Sequence, residues 1–419
     1  MLFNSLHFLV FFPAVFIIYY LLKPAHRNYL LLGASFYFYM VWKAEYALII
    51  AVETIVNYFA ALSIEKETSQ KRKKILLAVC LFFNLGILFV FKYMNFFNES
   101  VQGLLDAFNI FYAYPQFKLL LPIGISFYTF QITGYIIDVY RKKIPPEKSI
   151  MQLSLFIVFF PQLVAGPIER AGHLMNQFRE EHKFSVSNLT EGLKMMLWGF
   201  FKKLVIADRL AVLVNTVYAS PQDYSGIGLM IATVFFAFQI YCDFSGYSDI
   251  AVGSARILGF TLVNNFKTPY FSKSISEFWK RWHISLSGWF REYLYVSLGG
   301  NRVPKWRWYF NLFFTFLVSG LWHGANWTYI IWGALNGFYL IFSIITKAPR
   351  EAAEKAVFSD RNPGIYRLYR VAVTFILTCL AWVFFRASNV QDAFYIIGSM
   401  FGGSDTLIFL KILGSSSKQ

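Results

Sequence analysis

The sequence Ser319-Gly-Leu-Trp-His-Gly-Ala-Asn-Trp327 lies inside a long apolar stretch that runs from Trp308 to Ile345. His323 is the only side chain in that stretch that titrates near neutral pH. A helix rises ~1.5 Å per residue, so a helix that begins after Arg307 carries the imidazole roughly 24 Å along its axis. That depth lies well inside a hydrocarbon layer of ~30 Å. An ionisable group there is a candidate for function; the alternative is a neutral histidine that joins two helices through a hydrogen bond.

The composition of the whole chain is that of a membrane protein. Of the 419 residues, 57% are hydrophobic and only 15% are charged, whereas a soluble domain carries about 25% charged residues. Apolar runs recur along nearly the whole length, which predicts a multi-pass protein of the cell (cytoplasmic) membrane, in contact with lipid, with no soluble domain. The segment Met1–Leu22 has no basic region before its apolar run, so we interpret it as a first span rather than a cleaved signal.

The net charge of +16 does not indicate a nucleic acid partner. The basic residues cluster in short loops between apolar segments, mainly in residues 66–74 and 141–148. This is the bias that places loops on the cytoplasmic side, so both loops are predicted to be cytoplasmic. The three cysteines lie in apolar sequence with no metal-ligand spacing, and we expect neither a metal site nor a disulfide framework.

Several segments are interrupted or too short to cross a membrane. Pro122 and Gly124 break an apolar run, and Ser154–Ala165 is too short for a span, which predicts a re-entrant segment. In Phe278–Tyr295 aromatic residues and cations interleave at near-helical spacing, which is typical of a helix at the headgroup level. The stretch Leu407–Leu413 is apolar but too short to be assigned as a span.

The absence of several common motifs reduces the number of reactions that the chain is expected to catalyse. The chain contains no phosphate-binding loop of P-loop spacing, no Gly-x-Ser-x-Gly elbow and no His-Glu-x-x-His pair. What remains is a membrane histidine, which burial without a counter-charge keeps neutral. A neutral imidazole can take a proton from a hydroxyl that attacks an activated acyl group. Because a thioester needs no further activation, this small set of residues suffices for acyl transfer.

Five strings together resemble the membrane-bound O-acyltransferase family, in its bacterial alginate O-acetyltransferase branch. They are Phe278-Trp-Lys-Arg-Trp-His-Ile-Ser-Leu-Ser-Gly-Trp-Phe-Arg-Glu-Tyr-Leu-Tyr295, the 319–327 sequence, Leu121-Pro-Ile-Gly-Ile-Ser-Phe-Tyr-Thr-Phe-Gln131, Leu163-Val-Ala-Gly-Pro-Ile-Glu-Arg170 and Tyr241-Cys-Asp-Phe-Ser-Gly-Tyr-Ser-Asp249. By this resemblance His323 corresponds to the family's catalytic histidine and His283 to its second polar site position.

The resemblance also implies a fold and a reaction. The expected fold is all-α and polytopic, with about ten to eleven transmembrane helices plus re-entrant and interfacial helices around a central cavity. Residues 1–419 would form a single transmembrane domain, with incomplete C-terminal spans in residues 371–419. The acyl donor would be acetyl-CoA on the cytoplasmic side, with no tightly bound cofactor. The acceptor would be an extracytoplasmic polysaccharide, reached directly or through a periplasmic SGNH-type acetyltransferase partner.

Further candidate substrate contacts accompany the two histidines: Asn326, Asp243, Asp249, Trp322, Lys280, Arg281 and Arg291. Asn326 follows His323 by three residues and shares its face if that segment is helical. The aspartates either shape the cavity or, as is more common, pair with cations. Trp322 is a donor contact or a packing residue, and the three cations could attract the phosphates of an anionic carrier such as CoA.

Three other functions stay open at this stage. The first is D-alanyl transfer from a carrier protein to teichoic acid, by a related branch of the same family. The second is a transporter or flippase in which His323 relays protons. The third is a passive scaffold of a secretion complex, for which His323 would be dispensable.

Overall fold

The computed structural model describes residues 1–114, 117, 119–164, 166–224, 226–358 and 363–401, without the side chains of Lys355 and Ala356. Within these ranges the regular structure is helical, with no strand. Five helices are long and apolar enough to cross a membrane, which confirms the prediction of an all-α, multi-pass membrane protein. Leu407–Leu413 lies outside the described residues, as does the end of the predicted 371–419 region. A single transmembrane domain over the whole chain stays a prediction.

The chain divides into two compact units. The first comprises Met1–Phe200 and Tyr247–Asn264, and the second comprises Phe201–Gly246 and the chain from Asn265 onward. The helices before residue 201 are α1 (Leu6–Leu21), α2 (Pro24–Met40), α3 (Glu45–Lys66), α4 (Gln70–Lys92), α5 (Met94–Asp106), α6 (Ile125–Tyr140), α7 (Ile150–Val158), α8 (Phe160–Leu163), α9 (Ala171–Gln177) and α10 (Val186–Phe200).

The remaining helices begin with α11 and the long α12, whose two halves belong to different units. They are α11 (Asp208–Ala219), α12 (Ile227–Ile257), α13 (Ile275–Arg281), α14 (Ile284–Trp289), α15 (Lys305–His323), α16 (Trp327–Ile345), α17 (Lys347–Val357), α18 (Pro363–Arg386) and α19 (Val390–Ser399). Two π-helical segments, Phe201–Ala207 and Phe290–Tyr295, extend α10 and α14.

In the first unit the interrupted segments form short buried helices. Gly124 has φ 78° and precedes α6, and a Cβ at this position would lie 2.5 Å from the carbonyl oxygen of Leu163. The apolar run therefore bends here because only glycine allows this backbone conformation and this approach. Helices α7 and α8 are each too short to span, and Phe159 between them and Phe160 at the start of α8 are fully buried. The segment is thus held inside protein, as broken backbone at membrane depth requires.

In the second unit α15 and α16 form a tight helical hairpin. A Cβ on Gly320 would lie 2.3 Å from the carbonyl oxygen of Tyr329 and 3.0 Å from the Cα of Gly333. A Cβ on Gly333 would in turn lie 2.4 Å from the carbonyl oxygen of Phe316. Facing glycines let the two backbones touch, which is how helices pack closely in membranes. The hairpin fixes the position of His323, the last residue of α15.

Replacing Gly320 by alanine should lower the free energy of unfolding by about 1–3 kcal/mol. The new methyl group would meet the backbone of α16, which has no room to move. Thermal unfolding in detergent measures the effect. Gly398→Ala in the same unit is the matched control, since a Cβ there meets no atom within 4 Å. Equal melting temperatures for the two variants would contradict the close contact of α15 with α16.

Candidate active site

His323 lies at the carboxyl end of α15, where the helix stops. The next residue, Gly324, is extended, with φ −156° and ψ 151°. A Cβ on Gly324 would lie 2.0 Å from the ring of Tyr329, so a larger residue cannot follow the histidine in this turn. The imidazole is therefore held at the tip of a rigid hairpin. It is partly exposed rather than enclosed.

Three aromatic rings surround the His323 imidazole, all at steep angles to it. The ring centroids of Trp322, Trp332 and Phe385 lie 4.9, 5.0 and 5.2 Å from that of His323, with interplanar angles of 74°, 85° and 69°. These are favourable edge-to-face geometries. They come from α15, α16 and α18, so three helices together orient one imidazole and keep water from much of its surface.

Asn326 does not share a helical face with His323, because residues 324–326 are not helical. Its side-chain oxygen instead accepts the backbone N–H of Thr328 at 2.9 Å and so caps α16. Its amide group donates to the carbonyl oxygen of Ser388 at 3.1 Å. The structure therefore gives Asn326 two structural hydrogen bonds that fix the turn after His323.

His283 is buried between α13 and α14, at 1% exposure. Its backbone adopts φ 42° and ψ 57°, the left-handed conformation that is rare outside glycine. Its ring lies 4.6 Å from that of Phe244 and 6.4 Å from that of Trp322. Burial lowers the pKa of this imidazole to about 3, because removal from water disfavours the charged form. His283 is therefore a neutral group, and Trp322 contacts both histidine rings.

The unusual backbone at His283 is held by Asn265, which is not among the predicted site residues. The Asn265 carbonyl oxygen accepts the N–H of Ile284 at 2.9 Å. Its side-chain oxygen accepts the hydroxyl of Ser285 at 2.6 Å. Asn265 is itself only 1% exposed. A strained conformation persists only where its surroundings enforce it, and such sites are often functional. No local pattern marks Asn265, because its partners are about twenty residues away.

A cavity of about 360 Å³ opens beside this group of rings. Its lining includes Trp279, Phe290 and Ser319, with Lys280 and Arg291 as its cations. The lining is connected to His323 through aromatic contacts: Trp279 packs on Trp332 at 5.7 Å, and Phe290 packs on Trp322 at 6.3 Å. Trp332 and Trp322 are the rings that touch His323. The catalytic candidate is therefore separated from the cavity lining by one layer of aromatic side chains.

The structure brings only some of the predicted site residues together. His323, His283 and Trp322 form one cluster, and Lys280 and Arg291 line the adjoining cavity. Arg281 instead pairs with Glu277 at 2.6 Å. Asp243 pairs with Lys203 at 2.6 Å, which is the structural role expected as the commoner one for these aspartates. Asp249 belongs to the other compact unit.

Comparisons with known proteins identify the family of this chain. Residues 141–385 match the model of the membrane-bound O-acyltransferase family, which covers more than half of the chain. The protein belongs to this family and is an acyltransferase, which confirms the resemblance and the predicted enzyme class. The matched range contains both histidines and every residue of the cavity lining named above.

The particular relatives extend the similarity over almost the whole chain. The protein is 41% identical to the probable alginate O-acetylase AlgI of Pseudomonas putida over 97% of this chain and 81% of that protein. It is 35% identical to a peptidoglycan O-acetyltransferase of Helicobacter pylori, over 96% of this chain and 80% of that protein. A teichoic acid D-alanyltransferase of Streptococcus thermophilus is 31% identical, but over only 54% of this chain.

Proposed function

We propose that this protein transfers an acetyl group from acetyl-CoA, on the cytoplasmic side, to a hydroxyl of an extracytoplasmic polysaccharide. The transfer is direct or passes through a periplasmic SGNH-type partner. The protein lies in the cytoplasmic membrane, with about ten to eleven spans when the shorter helices are included. The observation that carries the proposal is the His323 imidazole, held by three aromatic rings beside an apolar cavity with two cations.

The relatives support this choice of acceptor. Two of them are named for O-acetylation of alginate and of peptidoglycan, and both match nearly the full chain. The D-alanyltransferase similarity covers only about half of it. We therefore favour an O-acetyl product on a polymer outside the cytoplasm over D-alanylation of teichoic acid.

The transfer needs one base and one positioned thioester. His323, as a neutral imidazole, accepts the proton of the acceptor hydroxyl while its oxygen attacks the thioester carbonyl. The new C–O ester bond forms, the C–S bond breaks, and the thiolate takes the proton from the imidazolium to leave as free thiol. A positioned base typically contributes about 10²–10⁴-fold in rate. The aromatic walls keep water from much of the imidazole surface, which limits hydrolysis of the thioester.

The cavity suits the acyl-bearing arm of the donor. Its volume of about 360 Å³ falls at the low end of the ~300–1,000 Å³ typical of small-molecule sites. It therefore fits part of the donor arm rather than a whole CoA, and the acetyl group has to pass the layer of Trp322 and Trp332 to reach His323. Lys280 is exposed on α13 and Arg291 is exposed just after α14. Their charges attract the phosphates that remain outside the cavity.

Replacing Lys280 or Arg291 by glutamine should raise the KM for acetyl-CoA about threefold to tenfold with little change in kcat, because the lost charge contacts a part of the donor that does not react. The increase should shrink at high salt, which screens exposed charges. Arg281→Gln is the control, since Arg281 pairs with Glu277 and does not belong to the cavity lining described above. If all three variants raised KM alike, bulk charge rather than this cavity would attract the donor.

The proposed function is tested by incubating the purified protein with labelled acetyl-CoA and candidate acceptor polymers, with and without His323. One free CoA should appear for each acetyl ester formed. With the protein in proteoliposomes, passage of acetyl-CoA or polymer across the membrane without CoA release would instead indicate a transporter. Transfer of D-alanine from a carrier protein, with no acetyl transfer, would indicate the teichoic acid branch.

A further inference from the structure

A second, basic pocket lies in the first compact unit and plays no part in the proposed transfer. Its volume is about 250 Å³. It is formed where α3 ends, α4 begins and α6 ends, and by the loop that follows α6. The loops of residues 66–74 and 141–148 therefore flank the same face of this unit. Both were predicted to be cytoplasmic from their charge.

The most informative residue in this pocket is Lys73. Its side chain is nine-tenths buried, at 8% exposure, and it lines the pocket. Among the residues that the structure describes, Lys73 forms no ion pair and no side-chain hydrogen bond. The Glu67 carboxylate interacts with Lys73 only through space, because it accepts hydrogen bonds from the N–H groups of Thr68 and Ser69 and pairs with Arg72. A buried cation with no ion pair of its own is costly. The pocket therefore has the character of a site whose anion comes from outside the chain.

The other charges in the pocket indicate how many negative charges the bound anion carries. Lys142 and Lys143 also line it, together with the carboxylate of Glu65. Lys143 lies 3.8 Å from Asp138, which neutralises it. With the pair of Glu67 and Arg72 counted as neutral, the three lysines exceed the carboxylates of Glu65 and Asp138 by one positive charge. A singly charged phosphodiester balances that excess, whereas a doubly charged phosphate monoester would overcompensate it.

The position and size of the pocket indicate where this phosphodiester comes from. Helices α3 and α4 are both candidate spans, so their adjoining ends lie where the hydrocarbon layer meets the headgroups. Tyr140, at the end of α6, also lines the pocket, and tyrosine is typical of this boundary. The volume is below the ~300–1,000 Å³ of sites for drug-sized ligands. A headgroup fits, and a whole nucleotide-bearing carrier does not.

We propose that this pocket binds the phosphodiester headgroup of an anionic lipid in the cytoplasmic leaflet, with Lys73 and Lys142 as its principal contacts. Basic pockets between membrane helices on this side bind anionic headgroups by charge. Such a lipid would neutralise Lys73 and join the ends of α3, α4 and α6. The inference does not depend on the acetyl transfer proposed above, because it rests on a different unit and different residues.

The test uses the full chain in nanodiscs of phosphatidylcholine with or without phosphatidylglycerol. Native mass spectrometry after release counts the phosphatidylglycerol retained. The wild type should retain it, and Lys73→Gln or Lys142→Asn should each reduce the retained fraction about fivefold, the contribution typical of one lysine at an anionic surface. Asparagine tolerates the left-handed conformation of Lys142, φ 58°. That variant therefore tests binding even if Lys73→Gln folds poorly.

The control is Lys71→Gln with Lys74→Gln, which removes two exposed charges from the same basic loop without touching the pocket. Equal losses in the pocket and control variants, or no retention by the wild type, would overturn the proposal. A second arm titrates inorganic phosphate into phosphatidylcholine nanodiscs. If phosphate raised the melting temperature of the wild type, but not of Lys142→Asn, and phosphatidylglycerol had no effect, the pocket would be a soluble-phosphate site and the lipid assignment would be wrong.

Discussion

Replacing His323 by alanine should lower acetyl transfer by about 10²–10⁴-fold, because the acceptor hydroxyl loses the base that removes its proton. The side chain is partly exposed, so the variant should fold and melt near the wild-type temperature. The measurement is the initial rate of labelled acetyl transfer in nanodiscs, with protein amounts matched. Binding of acetyl-CoA should persist, since Lys280 and Arg291 are unchanged.

The His323→Gln variant distinguishes loss of the base from loss of the side-chain volume in the same experiment. Glutamine can hydrogen-bond to the acceptor but is no base at neutral pH, so it should lose nearly as much activity as alanine. His26→Ala, an exposed histidine of the first unit, is the control for loss of any imidazole and should be fully active. A glutamine variant that kept a tenth or more of the wild-type rate would contradict general-base catalysis by His323. A loss of rate in proportion to the loss of folded protein would also contradict general-base catalysis by His323.

The sequence alone could place His323 because its signal is local. One titratable side chain in a long apolar stretch predicts a candidate functional group within the membrane. The end of the helix at His323 was not predictable in the same way. It depends on the contact of Gly324 with the ring of Tyr329 and on the cap that Asn326 places on α16. The condition under which Asn326 would share a face with His323, a helix that runs through both residues, is therefore not met, since the helix stops between them.

The segment Phe278–Tyr295 shows where local pattern misleads. Its aromatic and cationic spacing predicted one interfacial helix, but the structure breaks it at His283, whose backbone is left-handed. The break is enforced by hydrogen bonds from Ile284 and Ser285 to Asn265. Contacts between residues so far apart in the sequence produce no periodic pattern in it. The same holds for Asp243, whose partner Lys203 is forty residues away.

Replacing His283 by alanine or by glycine should lower kcat by about 10²-fold in both variants, because Trp322 then loses the ring that positions it against His323. A displacement near 1 Å at a reacting group can cost this much. The two variants should differ in stability instead. Alanine keeps the steric penalty of the left-handed backbone and glycine does not, so His283→Gly should be more stable by about 1–2 kcal/mol. Steady-state kinetics with acetyl-CoA and thermal unfolding measure the two effects.

The comparison of these variants distinguishes a positioning role from mere packing. Both remove the imidazole and leave a void beside Phe244 and Trp322, which costs a few kcal/mol of stability in either case. If His283 only supports the fold, the more stable glycine variant should regain activity in proportion to its stability. If the ring positions Trp322 and His323, the two variants should share the same low kcat despite different melting temperatures. A glycine variant with a near-normal kcat would therefore remove His283 from the catalytic arrangement and leave His323 to act without it.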